Sequence, residues 1–357
     1  SGWMLQLLGL GLLAMRLQVL EQMMFARGQP AWVTFSNLLR AAARQFIEGD
    51  VQHWWLPQTG AGVRTMISDD VVWLAYAIDQ YVTATGDETI LAEQIPFLDG
   101  QELKEGQHDS FFLPGVAAET ADLYEHAARA LDLAIARTGE HGLPLILGGD
   151  WNDGMNRVGI EGRGESVWLG WLLAATLERF KLQADKRGER ERSTRWSDHV
   201  VKLKAALETA GWDGDHYRRG YFDDGTPIGS ASRSECRIDS IAQSWAVLSE
   251  AARPDRAKAA MASVSQHLIK SEQGLALLFS PPFEHIEPNP GYIKGYPAGL
   301  RENGGQYSHA AMWAIFAFAK LDQAEKATEL FSMLNPIQHA LTSEAVARYQ
   351  TEPYVVA

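Results

Sequence analysis

Residues 148–156 read GGDWNDGMN, and residues 162–168 read GRGESVW. Glycine reaches backbone conformations that are closed to other residues, and Asp and Asn side chains bond readily to nearby backbone, so both stretches are typical of tight turns. Ser166 can cap the apolar run that follows it, which predicts a long helix over residues 166–187. Polar, glycine-rich loops held beside a helix often carry catalytic groups.

This loop places carboxylates beside an indole. The ring of Trp151 offers a flat apolar surface for a sugar, and partial burial of a neighbouring carboxyl group favours the protonated acid. A turn that is merely rich in hydrogen bonds is the alternative interpretation. The pattern also suggests calcium, but Trp151 occupies a ligand position and the spacing differs from that of an EF-hand, so we predict no metal.

Most of the chain shows helical periodicity, with apolar residues three and four apart. No strand-rich block, repeat or linker interrupts it, so we predict an all-α fold of antiparallel helix pairs arranged in a ring. A short β excursion is expected within residues 212–228, and residues 49–60, 96–114 and 274–303 are expected to be loops. The predicted helices cover residues 4–25, 36–46, 71–83, 88–94, 117–137, 166–187, 196–210, 239–252, 257–268, 308–321 and 323–334.

Composition narrows the classes of function. A hydrophobic content of 46% supports a sizeable core, and a formal charge of −13 argues against nucleic acid and anionic membranes as partners. The single Cys236 indicates a reducing compartment. The apolar run over residues 4–25 contains Arg16 and Glu21, so it predicts a buried or amphipathic helix rather than a membrane span. We therefore expect a cytoplasmic protein with a neutral substrate.

Two further groups of polar residues are candidate sites. Arg64 lies six residues before Asp70, and the pair could bind sugar hydroxyls, although the segment that leads to Asp70 also resembles a simple helix cap. Residues 296–309 are dense in polar side chains just before a predicted helix, and Arg301 and His309 there could form an anion site. The alternative is a capped loop with His309 in the core.

Several stretches resemble glycoside hydrolase family 94, whose members are inverting phosphorylases of cellobiose, chitobiose and β-1,2-gluco-oligosaccharides. The similarity runs from about Phe46 to the end of the chain, and it extends in particular to the phosphorylase-like domain of cyclic β-1,2-glucan synthases. The stretches are GDVQHWW at 49–55, GDWNDGMN at 149–156, GESVW at 164–168, GYPAG at 295–299, RENGGQY at 301–307 and NPI at 335–337.

The resemblance implies an (α/α)6 barrel and the phosphorolysis, or reverse synthesis, of β-1,2-linked gluco-oligosaccharides to give α-glucose 1-phosphate. Inorganic phosphate is the co-substrate, and no cofactor is implied. Because phosphate is already an anion, one carboxylic acid suffices and no general base is needed. The implied roles are Asp153 as general acid, Trp151 in the donor-sugar subsite, Arg301 and Glu302 as a sugar-binding pair, Tyr296 near the acceptor subsite and His309 as a phosphate ligand.

The sequence departs from the family pattern in three ways. The family carries Gly-Phe-Arg-Asp-Gln-x-x-Asp near its first barrel helices, whereas residues 26–35 here read ARGQPAWVTF. The chain also stops before further phosphate-binding residues of the family, and it lacks the family's N-terminal β-sandwich. We therefore expect residues 1–357 to form a single domain whose barrel is incomplete at its C-terminal end. Such a domain could belong to a larger membrane-associated synthase or form a homodimer.

Two other functions stay open. The absent Arg-Asp motif favours a non-catalytic glucan-binding module that controls chain length within a synthase. An inverting hydrolase would instead need a second carboxylate as base, and Asp70 and Glu302 are the candidates.

Overall fold

The computed structural model describes residues 31–104 and 106–352, so the predicted helix over residues 4–25 lies outside the described residues. The contacts between Cα atoms divide the chain into two compact units, between which it passes several times. Unit 1 comprises the described residues up to Thr138 together with Pro144–Trp151 and Thr176–Val201. Unit 2 comprises Gly139–Leu143, Asn152–Ala175 and the described residues from Lys202 onwards. The expectation of a single domain stays a prediction.

Helices dominate the described residues, and none of those helices is both long and apolar enough to cross a membrane. The α-helices are α1 (Ala31–Ala42), α2 (Asp70–Thr85), α3 (Leu123–Ala136), α4 (Val167–Lys186), α5 (Arg190–Thr209), α6 (Ser240–Leu248), α7 (Pro254–His267), α8 (Ser308–Lys320), α9 (Ala324–Leu334) and α10 (Ser343–Tyr349). Short 3-10 helices cover Thr89–Ala92, Asp153–Met155, Tyr292–Gly295 and Gln338–Ala340.

Short antiparallel strands connect these helices. Three-stranded sheets have the orders β1-β2-β4 and β6-β7-β8, and the pairs are β3-β5, β9-β12 and β10-β11. The strands are β1 (Gln52–Trp55), β2 (Gly62–Thr65), β3 (Gln94–Asp99), β4 (Asp109–Phe112), β5 (Gly115–Asp122), β6 (Glu165–Ser166), β7 (Gly220–Tyr221), β8 (Pro227–Ile228), β9 (Ile238–Asp239), β10 (Ile269–Lys270), β11 (Leu275–Ala276) and β12 (Phe279–Ser280).

The predicted helices over residues 71–83, 166–187, 308–321 and 323–334 are confirmed to within three residues at each end, as is the β excursion within 212–228. The prediction of a helix from residue 117 was wrong for its first turns, because Gly115–Asp122 is a strand that pairs with β3. The loops predicted over 49–60 and 96–114 were also wrong in part, since they contain β1, β4 and most of β3. Pairing with another strand decides the secondary structure of these segments.

A cluster of tryptophans forms part of the core of unit 2. Trp168 in α4 packs against Trp245 in α6 with ring centroids 6.3 Å apart, and Trp245 meets Trp313 in α8 edge to face at 5.3 Å. All three indoles are at most 5% exposed. Aromatic pairs in this arrangement add about 0.5–1.5 kcal/mol each beyond the burial of their area. The cluster packs α8, through Trp313, against Trp168 and Trp245.

Candidate active site

The loop that carries Asp153 is shaped by its neighbours in unit 2. Asp153–Met155 forms one 3-10 turn, which Asn152 caps by accepting a hydrogen bond from the N–H of Gly154 at 3.1 Å. A Cβ atom at Gly154 would come within 2.8 Å of the Ile293 side chain, so only glycine fits there. The turn fixes the backbone of Asp153 while its neighbours Asn152 and Gly154 are buried.

The same loop is joined to the segment that carries Tyr296. The N–H of Tyr292 donates to Asn156 Oδ1 at 3.1 Å, and the N–H of Arg157 donates to the carbonyl of Pro290 at 3.1 Å. Gly291 has a φ of +127°, and a side chain there would collide with Asn156. Two segments of unit 2 that are more than 130 residues apart in sequence are thus bonded to each other.

Acidic groups gather around the hydroxyl of Tyr307. Burial raises the pKa of Tyr307 to about 12, and the charge of Glu302 and a hydrogen bond to its carboxylate add to the effect. Asp153 also lies close enough to raise this pKa, while the cation of Arg301 opposes the shift. Tyr307 therefore stays protonated at neutral pH, and its hydroxyl bonds to the predicted sugar-binding carboxylate of Glu302. The sequence analysis gave Tyr307 no role of its own.

Arg301 stands at the open edge of this cluster. Its Nε atom lies 3.3 Å from Glu302 Oε2, and its guanidinium lies over the ring of Tyr296 at 4.6 Å. Its backbone φ is +50°, which is uncommon for a residue with a side chain, and the N–H of Gly305 donates to its carbonyl at 3.2 Å. Strained backbone of this kind is often found at functional sites.

Asn303 holds the loop that presents Arg301 and Glu302. Its amide donates to the carbonyls of Phe283 at 2.9 Å and Tyr296 at 2.8 Å, and its Oδ1 accepts from the N–H of Phe283 at 2.8 Å. The side chain is completely buried. The sequence analysis named this stretch for its family pattern but did not predict that Asn303 bonds to two other segments.

His309 lies in the first turn of α8, and its ring is 4.3 Å from that of Trp313 in the buried tryptophan cluster. Its neighbour Tyr307 is the N-cap residue of the same helix. The N-terminus of a helix carries a partial positive charge, which suits an anion. His309 therefore stands where a phosphate ligand is expected, and that role stays a prediction.

Glu165 in the GESVW stretch proves to be a structural group. It is almost completely buried in unit 2, where its carboxylate accepts from the N–H groups of His141 and Leu143, both at 3.1 Å, and contacts the ring of His141. Ser166 caps α4 as predicted, since its hydroxyl accepts from the N–H of Leu169 at 3.0 Å. This stretch therefore positions the chain around the candidate site.

In unit 1, Asp70 is the first residue of α2 and is paired with a histidine. His53 Nδ1 lies 2.8 Å from Asp70 Oδ2, and both side chains are about 6% exposed. An irregularity between Gln52 and Trp54 in the pairing of β1 with β2 sets the position of His53. The sequence analysis quoted His53 within a family stretch but did not predict the pair, because a bulge that aims a side chain leaves little trace in sequence.

Arg64 is engaged by other protein groups. Its guanidinium bonds to both oxygens of Asp50 at 2.6 Å and to Glu48 at 2.9 Å, and it lies 4.0 Å over the ring of Phe46. Burial opposes the charged form, but these two carboxylates outweigh burial and raise the pKa of Arg64. A direct bond from Arg64 to a substrate would require one of these bonds to break.

The capping alternative is confirmed in part, because Asp69 is the N-cap residue of α2 by position. Its side chain makes no cap bond and instead accepts from the indole N–H of Trp73 at 2.8 Å. The hydroxyl and the N–H of Ser68 both donate to the carbonyl of Gly149, at 3.0 and 2.9 Å. These bonds fix the start of α2 to the chain that leads to Trp151, which is 7% exposed.

The predicted site residues thus fall into two sets, each within one unit. Unit 2 holds the predicted general acid, the predicted sugar-binding pair, the tyrosine predicted near the acceptor subsite and the predicted phosphate ligand, whereas unit 1 holds the predicted donor-subsite tryptophan and two further predicted sugar-binding residues. The first set is Asp153, Tyr296, Arg301, Glu302 and His309, and the second is Arg64, Asp70 and Trp151.

The comparisons with known proteins place the chain among carbohydrate-active enzyme domains. The model of the glycosyl hydrolase 94 superfamily catalytic domain matches residues 13–357, and the chain belongs to that family.

The relatives are glucan synthases and phosphorylases. Cyclic beta-(1,2)-glucan synthase NdvB of Rhizobium meliloti (strain 1021) is 58% identical over 97% of this chain, which covers 12% of that protein. Solabiose phosphorylase of Paenibacillus borealis is 31% identical over 84% of this chain and 36% of its own length. N,N'-diacetylchitobiose phosphorylase of Vibrio proteolyticus is 31% identical over 82% of this chain and 34% of its own length. The chain thus spans between about an eighth and about a third of these relatives.

Among solved structures, a rhamnosidase from Klebsiella oxytoca with rhamnose bound superposes with a TM-score of 0.51. The identity is 15%, and the match covers 86% of this chain and 46% of the rhamnosidase. At this identity the likeness concerns the fold alone, and it supports the predominantly helical architecture predicted from the sequence.

Proposed function

We propose that this chain catalyses the inverting phosphorolysis, or the reverse synthesis, of β-1,2-linked gluco-oligosaccharides, with α-glucose 1-phosphate as the sugar phosphate. One observation carries the proposal: hydrogen bonds join the loop of Asp153 to the segment that carries Tyr296, and Arg301 lies over Tyr296 beside Glu302. The family assignment and the 58% identity to a cyclic β-1,2-glucan synthase support this class of reaction and substrate.

In the proposed reaction, the carboxyl group of Asp153 gives its proton to the glycosidic oxygen as the bond from that oxygen to the anomeric carbon breaks. A phosphate oxygen attacks the same carbon from the opposite face, so the configuration inverts. The leaving oligosaccharide keeps the proton as its new hydroxyl group. Phosphate arrives as an anion, which explains why a single acid suffices.

The remaining residues receive binding roles in this proposal. Glu302 and Arg301 bind sugar hydroxyls, Tyr296 lies against the acceptor sugar, and His309 at the start of α8 binds phosphate. Trp151 and Asp70 bind the donor sugar, and His53 orients Asp70 through their 2.8 Å contact. Arg64, whose bonds are taken up by Asp50 and Glu48, supports the donor side by fixing β2 rather than by touching the sugar.

We place this activity on an (α/α)6 barrel within a larger, membrane-associated synthase of cyclic β-1,2-glucan, on the cytoplasmic side. The synthase among the relatives is about eight times longer than the matched region, which supports a multidomain setting. Inorganic phosphate is the co-substrate and no further cofactor is proposed. A homodimer is compatible with this arrangement.

A non-catalytic glucan-binding module is the second candidate, because residues 26–35 lack the family's Arg-Asp motif. An inverting hydrolase is less well supported. Its base would have to be Asp70 or Glu302, yet Asp70 is paired with His53 and Glu302 is engaged by Tyr307 and Arg301.

The test measures glucose 1-phosphate released from β-1,2-gluco-oligosaccharides, with and without phosphate, by the unaltered chain and by Asp153→Asn. We expect phosphate-dependent release that falls by about 10²–10⁴-fold in the variant, because general acid catalysis is worth that much. Unchanged thermal stability of Asp153→Asn serves as the control for folding. Full activity of Asp153→Asn would refute the assignment of the acid, and glucose released without phosphate would indicate a hydrolase. Binding without any release would indicate the glucan-binding module.

A further inference from the structure

Three side chains next to the candidate acid form an open surface in unit 2, here named the tyrosine shelf: Tyr292, Tyr296 and Arg301. The rings of Tyr292 and Tyr296 meet edge to face with centroids 6.3 Å apart, and the guanidinium of Arg301 lies over Tyr296. Tyr292 is 50% exposed and the Arg301 side chain is 63% exposed. The shelf is therefore open to solvent over much of its surface.

The shelf is fixed to the loop of the acid at one end. The backbone of Tyr292 bonds to Asn156, three residues after Asp153, and Ile293 packs against Gly154. This attachment depends on Gly291, whose positive φ lets the two segments approach. Tyr292 therefore has a set position relative to the acid.

The other end of the shelf leads back to the acid through side chains. Arg301 contacts Glu302, Glu302 accepts a hydrogen bond from Tyr307, and Tyr307 lies within the electrostatic reach of Asp153. Exposure rises along this path, from partly buried Tyr307 to exposed Arg301. The shelf thus begins at the proposed reaction centre and extends into solvent.

This combination of groups suits one kind of ligand. Tyrosine rings offer apolar faces to the C–H groups of a pyranose, and their hydroxyls together with the guanidinium of Arg301 can bond to sugar hydroxyls. The formal charge of −13 does not favour an anionic polymer. The ligand that fits is a neutral glucan chain.

We propose that Tyr292, which adjoins Tyr296, forms an additional glucan-binding subsite beyond the acceptor sugar that Tyr296 and Arg301 contact. The protein would then use oligosaccharides of three or more glucose units better than the disaccharide. This inference rests on the proposed function, since it extends the acceptor side of that site, and it names Tyr292 as a residue that determines specificity for chain length.

The experiment has two readouts. Calorimetry measures the binding of β-1,2-linked glucose di-, tri- and tetrasaccharides to Asp153→Asn, in which turnover is suppressed, alone and combined with Tyr292→Ala or Tyr292→Phe. Phosphorolysis of the same series is measured in the chain with native Asp153. Phe331→Ala, which removes an exposed ring on α9, is the matched control.

We expect affinity and kcat/KM to rise from the disaccharide to the trisaccharide. Tyr292→Ala should reduce that rise roughly three- to tenfold, the range expected for one aromatic contact. Tyr292→Phe should keep most of the rise, and Phe331→Ala should keep all of it.

Affinity that does not depend on chain length, or a rise that survives in Tyr292→Ala, would overturn the subsite. The proposed function fails in a different way, through the absence of glucose 1-phosphate from every substrate. Binding to the Asp153→Asn background would still report on the shelf in that case.

Discussion

The two units use charge in opposite ways around their candidate residues. In unit 1, ionisable side chains pair with one another in the interior: Arg64 is bound by Asp50, and Asp70 is bound by His53. In unit 2, the loops around the candidate residues are held by the neutral amide side chains of Asn152, Asn156 and Asn303.

This difference has a chemical consequence. Pairs such as Arg64 with Asp50 satisfy each other, so they fix a shape and have little left to offer a substrate. In unit 2, the loops that carry Asp153, Glu302 and Arg301 are held by neutral amides, so the charges of these residues are not needed to fix the loop backbone.

The largest effect on stability is expected from Arg64→Met. If Arg64 is scaffolding, its loss leaves Asp50 buried without its partner, and we expect a loss of about 3–5 kcal/mol in the free energy of unfolding. Urea unfolding at neutral pH measures it. If Arg64 instead contacts substrate, KM should rise while stability hardly changes.

Two further variants control this prediction. Arg253→Met breaks an exposed pair with Asp255, and we expect no measurable change in stability. Adding Asp50→Asn to Arg64→Met should restore part of the lost stability, because the unpaired charge is removed. A destabilisation by Arg64→Met no larger than that of Arg253→Met would show that the pair is not scaffolding.

The fold could be predicted from the sequence where the structure of a segment depends mainly on its own residues. The helices α2, α4 and α8 follow from runs of apolar residues at helical spacing, most of which are buried in the structure. The helix prediction for residues 117–122 was wrong because Ala117 and Ala118 favour a helix locally. Pairing with β3 makes the segment a strand instead. Tertiary pairing of this kind overrides propensity and is not encoded in a short window.

The site shows the same division. Roles were assigned to Asp153, Arg301, Glu302 and His309 because each lies in a compact motif, and those roles stay predictions. His53, Tyr292, Asn303 and Tyr307 received no roles of their own, since their significance depends on contacts with segments between 5 and 136 residues away. Their residue types alone carry no signal of such contacts.

A smaller effect is expected from Asn303→Asp, which tests whether an amide is truly required in unit 2. The carboxyl group keeps the acceptor for Phe283 but loses at least one of the two N–H bonds to the carbonyls of Phe283 and Tyr296. We expect about 1–3 kcal/mol of destabilisation. Thermal unfolding measures it, and a larger relative loss of activity should follow, because this loop presents Glu302.

Asn289→Asp provides the matched control. The Oδ1 atom of Asn289 only accepts, from the N–H of Gly291 at 3.0 Å, and a carboxylate preserves that bond. Its stability should therefore hardly change. Equal stability of Asn303→Asp and Asn289→Asp would mean that a charge can replace the amide, and the contrast between the units would weaken.

Glu235, like Glu165, departs from this pattern in unit 2, because its charge serves as scaffolding. Its carboxylate accepts from the N–H groups of Glu284, His285 and Ile286 at 2.9–3.0 Å. Burial opposes ionisation, but these bonds outweigh it and lower the pKa of Glu235. A lowered pKa in the folded state stabilises the protein above the ordinary glutamate value, and this contribution is lost as the pH falls through the folded value.

We expect this to be the smallest effect, about 1 kcal/mol, because the carboxylate is partly exposed to solvent. Hydrogen exchange at residues 284–286, expressed as protection factors, should show local opening as the pH drops below that of an unperturbed glutamate. Glu235→Gln should open the segment already at neutral pH and remove most of the pH dependence, whereas exposed Glu272→Gln should change neither. Protection that stays constant with pH in the unaltered chain would mean that the neutral amides of unit 2 hold this segment without help from charge.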